Sequence, residues 1–273
     1  MKRSFSTLCC LNDTVQQVIS YALENDMKGV ELRVSDKNET FNGKGPADAE
    51  EIRSLFSKAD LTVTDLALSC FIKTYDPQQI TIGKAGIDFA AALNARAVRL
   101  FIGEHQERFS DKIESDLEGI VKALGELADY AKKKGVEIWL ETHSCFSTGK
   151  SIRELLDLIN RDNAKAIWDL IHTVEYRETP KETVKYLGDK IAHIHLKDGR
   201  PNEDRDIIRY LHTDLGAGTM PLGEMLTELK SIGFDGFFSL EWESPWRAEI
   251  RDLYPDTNDL LKKYNEFLRA EIS

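Results

Sequence analysis

Two patterns of apolar and polar residues, one typical of strands and one typical of helices, alternate along the chain. Short runs of β-branched and other apolar residues, typical of buried strands, are each followed by a stretch whose apolar positions recur every three or four residues, as in amphipathic helices. The predicted strands cover residues 5–11, 29–32, 61–68, 97–103, 136–143, 166–170, 191–198 and 237–240. Helices are predicted after a cap at 12–14, over 47–58, 80–93 and 113–134, from Ser151 with Glu154 three residues on, and over 180–188, 222–232 and 256–271.

This alternation of eight strands with eight helices predicts an α/β protein, a (β/α)8 TIM barrel. The chain has 273 residues, and one such barrel typically takes about 250 residues. We therefore expect a single domain over residues 1–273. The longest irregular segment is predicted at 199–218, and a loop of that length above the carboxyl ends of the strands is usually functional.

Composition and charge narrow the class of protein. Hydrophobic residues make up 41% and charged residues 30% of the chain, which is enough apolar material for a large core. A formal charge of −11, with no dense Lys/Arg run, disfavours a nucleic-acid partner. The apolar run at residues 1–13 is too short for a signal peptide, and no stretch approaches a membrane span, so we expect a cytoplasmic protein without a membrane partner. The four cysteines form no C-x-x-C pair, and we interpret them as apolar residues.

Candidate chemistry is concentrated at strand ends in the carboxyl-terminal half. In the run IAHIHLKD, side chains alternate between two faces, so His193, His195 and Lys197 point to the same side. Three further runs end in side chains that can bind a metal or transfer a proton. These are Glu141 and His143, Asp169 and His172, and Glu241 and Glu243. In a β/α barrel such strand ends converge on the catalytic face.

Four of these residues form a candidate metal site. Glu141, Asp169 and Glu241 with a neutral His195 give an oxygen-rich set of donors with a charge of −3, which suits Mn²⁺, Mg²⁺ or Co²⁺. Without a cation the three carboxylates would repel one another, and at least one would take up a proton. The alternative is that each acid forms a separate salt bridge at the mouth of the barrel.

Several short segments together resemble a known family. ETH at 141–143, WDLIH at 168–172, HIHLKD at 193–198, GAGTMP at 216–221 and IGFDGFFSLE at 232–241 are similar to the sugar phosphate isomerase/epimerase family of xylose isomerase-like TIM barrels. The resemblance implies one divalent metal ion, with Zn²⁺ as a further candidate, bound by Glu141, Asp169, His195 and Glu241. It also implies that His172 contacts the substrate.

The resemblance leaves two reactions open. In the ketose 3-epimerase branch the two glutamates exchange protons with opposite faces of the substrate, so we expect an isomerase or epimerase that acts on a small keto-sugar or sugar derivative through an enediolate. That branch has a Gly-Glu-x-Asn segment after the histidine, whereas this chain has Leu-Lys-Asp-Gly-Arg at 196–200. The H-x-H-L-K-D form looks more like inosose dehydratases, which gives the alternative of a metal-dependent lyase acting on a keto-polyol or cyclic keto-acid.

Four further residues are candidates around the metal site. His143 is either the base or a support for the ligands, and Lys197 either holds an oxyanion of the substrate or pairs with an acid. His193 is expected one layer deeper, packed in the core, and Trp246 is the tryptophan expected in the substrate pocket. Two other functions are considered: abasic-site DNA cleavage, which six histidines and the negative charge oppose, and a non-catalytic sugar-binding barrel. The sequence is compatible with a monomer and with a homo-oligomer.

Overall fold

The computed structural model of the protein describes residues 1–35, 41 and 43–272. In these residues the strands are β1 Lys2–Ser6, β2 Gly29–Val34, β3 Thr62–Ile72, β4 Ala97–Ile102, β5 Glu137–Glu141, β6 Ala164–Asp169, β7 Ile191–Leu196, β8 Asp198–Pro201, β9 Tyr210–Thr213 and β10 Phe237–Leu240. The α-helices are α1 Val15–Glu24, α2 Ala49–Lys58, α3 Pro77–Leu93, α4 Leu117–Lys134, α5 Gly149–Ile159, α6 Leu170–Glu175, α7 Pro180–Leu187, α8 Leu222–Ser231 and α9 Thr257–Ile272. Short 3-10 helices lie at Thr7–Cys10, Pro46–Asp48 and Gly188–Lys190.

Eight of the described strands close into a parallel barrel in the order β1-β10-β7-β6-β5-β4-β3-β2. Strands β8 and β9 pair with each other outside it. The predicted TIM barrel is therefore confirmed, with its helices packed around the sheet. No helix in the described ranges has the length and apolar character needed to cross a bilayer.

Helix α4 illustrates how the sequence determines a helix and its connection to the next strand. Its buried face includes Leu124, Leu127 and Ala128, which follow helical spacing and pack on the sheet. Three lysines in its last turn lie at the negative end of the helix dipole. Gly135 then ends the helix with a φ of 73°, a left-handed conformation that favours glycine. The chain can thus enter β5 two residues later.

Several predicted boundaries were wrong by a few residues. The first strand ends at Ser6, not at residue 11, because the Ser6 hydroxyl accepts a hydrogen bond from the Leu8 amide and opens the 3-10 helix. Strand β3 continues through Ile72, four residues beyond its predicted end. The N-cap of α5 is Thr148, whose hydroxyl accepts from the Ser151 amide, so Ser151 is the third helical residue and not the cap.

The segment 199–218 is not wholly irregular as predicted. Strands β8 and β9 form an antiparallel hairpin in which Asp198 pairs with Thr213. The short helix α6, directly after β6, was also not predicted, because six residues are too few to show a helical period.

The carboxylate of Asp198 joins the beginning and the end of the segment 199–218. Asp198 accepts hydrogen bonds from the amides of Gly199 (2.8 Å), Gly216 (2.8 Å), Gly218 (3.0 Å) and Met220 (3.2 Å). A Cβ at Gly218 would clash with this carboxylate and with the Gly199 carbonyl oxygen. The chain therefore returns to the point at which it left the barrel.

Candidate active site

The four predicted metal ligands come together at the carboxyl ends of four adjacent strands. Glu141 and Asp169 end β5 and β6, His195 lies in β7, and Glu241 follows β10. Asp169 on β6 pairs with His195 on β7 in the sheet. The partner of His195 on β10 is Ser239, and Glu241 lies two residues beyond it. The tilt of the strands in a barrel produces this stagger. All four are buried, and one ligand atom from each lies within 4.8 Å of the others.

His195 lies at the centre of these contacts. Its Nδ1 is 2.8 Å from Glu141 Oε1 and 3.1 Å from Glu241 Oε2. Its Nε2 is 2.8 Å from Glu31 Oε2, on the side away from the cluster. Burial opposes the charged imidazole, but the carboxylates of Glu241, Glu31 and Glu141 outweigh it and raise the pKa of His195. The ring is thus held by a carboxylate on each side.

Asp169 connects the site to the chain that follows. Its Oδ1 accepts from the Ile171 amide at 3.0 Å and caps α6, which fixes the side chain at the strand end. Its Oδ2 lies 2.6 Å from Lys197 Nζ. Burial raises the pKa of Asp169, although the Lys197 charge partly opposes this. One oxygen is therefore committed to the backbone and the other faces the cations of the site.

Lys197 pairs with acids, which is the second of its two predicted roles. Its ammonium group contacts Glu241, lies 2.6 Å from Asp169 and lies 2.5 Å from Glu243. Burial lowers the pKa of a lysine, but here Asp169, Glu241 and Glu243 outweigh burial and hold it well above its usual value. The residue is a fixed cation within the cluster of carboxylates.

His143 and His172 are brought together beside the ligands. Their ring centroids are 4.6 Å apart, edge to face. Burial and the His172 charge lower the pKa of His143 to about 3. Burial also disfavours charge on His172, but Asp169 and Glu175 outweigh it and raise its pKa to about 8. At neutral pH the pair therefore consists of an uncharged and a charged imidazole.

A cavity of about 620 Å³ opens above these residues. His143, His172 and Trp246 line it together with Phe101 and Ile208. Trp246 is 42% exposed and lies beyond β10, so it is at the mouth of the cavity. A space of this size suits a small organic molecule.

His193 lies one layer deeper, as predicted. It is fully buried, stacks on Trp139 with ring centroids 5.3 Å apart, and lies 3.5 Å from Glu31 through Nε2. It does not line the cavity.

Sequence reasoning missed four charged residues that point into the barrel: Glu31 and Arg33 on β2, Asp65 on β3 and Arg99 on β4. Arg99 Nη1 donates to Glu141 Oε2 at 2.5 Å and lies 3.7 Å from Glu241 Oε1. Burial acts against ionisation of Glu141, but Arg99 and His195 outweigh it and lower the pKa of Glu141 well below its usual value. A charged residue at alternate positions of an otherwise apolar, buried strand is the signal that could have found them.

The four-residue cluster fits a single divalent ion. Two ligands on opposite sides of an ion, each at about 2.1 Å, are about 4.2 Å apart, which is compatible with ligand atoms that all lie within 4.8 Å of one another. Asp169 Oδ2 and Glu241 Oε2 are buried, form no hydrogen bond in the described residues and share one cation, the Lys197 ammonium group. A divalent ion would complete the charge compensation of these two carboxylates. The donor set of three oxygens and one nitrogen suits Mn²⁺, Mg²⁺, Co²⁺ or Zn²⁺.

Comparisons with known proteins identify the family and the fold. A family model described as "Xylose isomerase-like TIM barrel" matches residues 19–269. An inosose dehydratase of Clostridium perfringens is 23% identical over 257 residues, covering 85% of this chain and 83% of that protein. L-ribulose 3-epimerase of a Methylomonas species is 28% identical over 163 residues, covering 55% of this chain and 53% of that protein, so the alignment spans about half of that relative. 

A solved structure of the IOLI protein with a bound zinc atom has the same fold. Its TM-score is 0.80 at 22% identity, and the superposition covers 100% of this chain and 98% of that chain. The relatives therefore include an epimerase, a dehydratase and a barrel that binds a divalent metal.

Proposed function

The chain belongs to the xylose isomerase-like TIM barrel family, and on that basis we propose that it is a divalent-metal-dependent isomerase or epimerase of a small keto-sugar or sugar derivative. The observation that carries the proposal is the cluster of Glu141, Asp169, His195 and Glu241, whose ligand atoms lie within 4.8 Å of one another. These four residues would hold the ion. When bound, it would polarise a substrate carbonyl and the neighbouring hydroxyl. The proton on the hydroxyl-bearing carbon next to the carbonyl would thereby become more acidic.

Glu141 and Glu241 are placed to transfer that proton. They belong to β5 and to the end of β10, and β6 and β7 lie between these strands in the barrel. The two carboxylates therefore approach the site from different sides. Removal of a proton on one face and its return on the other inverts a carbon centre, which is what an epimerase requires. Arg99 contacts both carboxylates and holds them at the site.

His143 lies beside the ligands and is not assigned to the proton transfer. Its Nδ1 is 2.6 Å from Ser144 Oγ, and its ring packs edge to face on His172. We assign it instead to contact with substrate hydroxyls, together with His172 and Trp246 on the wall of the cavity. Lys197 holds Glu241 and Glu243 in place.

One observation favours a second candidate, the dehydratase. His172 lines the cavity, and its buried Nε2 has no hydrogen-bond partner among the described residues, so this imidazole is placed to donate a proton to a departing hydroxyl group. Loss of water from a keto-polyol needs one base and one such acid. The relative that is an inosose dehydratase aligns over 85% of the chain and supports this candidate.

The test is a screen of keto-sugars and keto-polyols with added Mn²⁺ in deuterated water. Deuterium at carbon is expected in the product, and Glu141→Gln and Glu241→Gln should each reduce its incorporation by about 10²- to 10⁴-fold. Glu203→Gln, in the exposed loop at the same end of the barrel, is the matched control and should have no effect. Absence of both deuterium exchange and water loss with every substrate would contradict the proposal.

His143→Ala separates the two reactions. If the enzyme is an epimerase, this change should slow turnover only partly. A loss as large as that of either glutamate variant, with normal metal content and loss of water from the substrate, would identify the dehydratase.

A further inference from the structure

Arg33 is a buried cation at the active end, and no carboxylate of the described residues lies within ion-pair distance of it. It is 7% exposed, lies on β2 and lines the cavity above the four-residue cluster. Among the described residues it forms no ion pair with a carboxylate. By contrast, Arg99, Lys197 and Arg247 at the same end each contact at least one glutamate.

The guanidinium group has free hydrogen-bonding capacity. Its Nη1 donates to the Ala67 carbonyl oxygen at 2.8 Å and its Nη2 donates to Ser69 Oγ at 3.0 Å. An arginine carries five N–H donors, so about three remain. Both partners are neutral, and they position the planar group without neutralising its charge.

Such a group is costly unless something compensates it. A buried charge loses its hydration, and the carboxylates of Glu241, Glu31 and Glu141 offset that loss only in part, from beyond ion-pair distance. Burial and the repulsion of Arg99 lower the pKa of Arg33 to about 10, so the side chain remains charged at neutral pH. The Phe101 ring, with its centroid 5.6 Å from Arg33 Cζ, covers one side and strengthens any electrostatic interaction there.

We propose that Arg33 binds an anionic substituent of the substrate, a carboxylate or a phosphate, so that the preferred substrates are sugar acids or sugar phosphates and not neutral sugars. Guanidinium groups match the geometry of both anions. Arg209 lines the same cavity, and of the glutamates that also line it, Glu141, Glu241 and Glu243 are already paired with buried cations. The inference rests on the proposed function for the reaction, but the binding of an anion can be measured without turnover.

The kinetic test compares three six-carbon compounds that differ in charge: D-fructose, D-fructose 6-phosphate and 5-keto-D-gluconate. Arg33→Gln should lower kcat/KM for the preferred charged compound by about 10- to 100-fold, mainly through KM, because a hydrogen-bonded charge pair is lost. The value for the neutral compound should not change. Arg205→Gln, an exposed arginine in the loop 199–218, removes the same charge elsewhere and should change neither value.

The binding test uses inorganic phosphate and acetate, titrated into the metal-loaded protein at constant ionic strength. The wild-type protein should bind at least one of them, Arg33→Gln about tenfold more weakly, and Arg33→Lys to an intermediate degree. Phosphate alone would indicate a sugar phosphate, and acetate alone a sugar acid. Because no reaction occurs, this result is independent of the proposed activity.

Two results would overturn the inference. One is binding of both anions by Arg33→Gln as tightly as by the wild-type protein. The other is an equal loss of kcat/KM for neutral and charged compounds together with a lower melting temperature, which would mean that Arg33 only holds β2 against β3. Removal of an unpaired buried charge is expected instead to leave the melting temperature unchanged or higher.

Discussion

Glu31 should control the affinity of the four-residue cluster for its metal ion, although it lies outside that cluster. Its Oε2 lies 2.8 Å from His195 Nε2, and both residues are fully buried, so water does not weaken the interaction. A carboxylate behind a ligating histidine fixes its orientation and increases its basicity, and loss of such a partner costs about 10- to 100-fold in metal affinity. Each tenfold loss corresponds to about 1.4 kcal/mol.

Two substitutions separate the charge from the hydrogen bond. Glu31→Gln keeps the shape and an acceptor oxygen, so we expect a loss of about tenfold, or about 1.4 kcal/mol. Glu31→Leu removes the acceptor as well and should lose about 100-fold, or about 2.8 kcal/mol. Calorimetric titration with Mn²⁺ and Zn²⁺, in competition with a chelator of known affinity, measures both values.

Asp65→Asn is the matched control for these variants. Asp65 is also a fully buried carboxylate inside the barrel, but it lies 4.0 Å from His193 and has no contact with His195. Burial and the Glu31 charge raise the pKa of Asp65 well above the usual range, and asparagine keeps the shape of the side chain. Folded Glu31 variants that keep wild-type metal affinity, or an equal loss in Asp65→Asn, would refute the role of Glu31.

Three further predictions concern the metal ion and stability. Purified protein should contain about one divalent ion per chain, and chelation should lower its melting temperature, because an ion at 100 times its Kd stabilises the fold by about 2.7 kcal/mol; metal analysis and calorimetry check both. His195→Ala should lose most metal affinity, whereas His193→Ala should keep the ion and lower the melting temperature by loss of its packing on Trp139; the opposite result would contradict the strand register. Burial lowers the pKa of His212 to about 3, whereas the unfolded chain takes up this proton near pH 6.5, so stability should be constant above about pH 6.5 and decrease below it by about 1.4 kcal/mol per pH unit. Urea unfolding near pH 7.5 and 5.5 should show a smaller decrease for His212→Gln, and an equal decrease in both proteins would exclude this origin.

The barrel and the positions of its four candidate ligands were predictable because both depend on local sequence patterns. Strand runs ending in Glu141, Asp169 and His195 follow helical stretches with clear stop signals, and such strands meet at one end of a parallel barrel. Alternation also placed His193 below His195. These conclusions required no knowledge of which strands are neighbours.

The partners of the ligands were not predictable in the same way. Glu31 reaches His195 from 164 residues away in sequence, and Arg99 reaches Glu141 from the adjacent strand. Such pairs depend on closure of the barrel and on side-chain length, which a linear pattern does not encode. The hairpin of β8 and β9 was missed for a different reason: its strands have four residues each and carry no regular alternation of apolar and polar positions.

Because of the Asp198 carboxylate, the hairpin of β8 and β9 can change in sequence and length without affecting the barrel. Both ends of the segment 199–218 are hydrogen-bonded to the Asp198 side chain, so the tip of the hairpin can lengthen or shorten without strain at Lys197. Doubling the length of a flexible loop costs only about 0.6 kcal/mol in closure entropy. Ile207, Ile208 and Arg209 from this segment line the cavity. Mutation of the tip can therefore diversify substrate choice within a lineage while the catalytic end of the barrel is inherited unchanged.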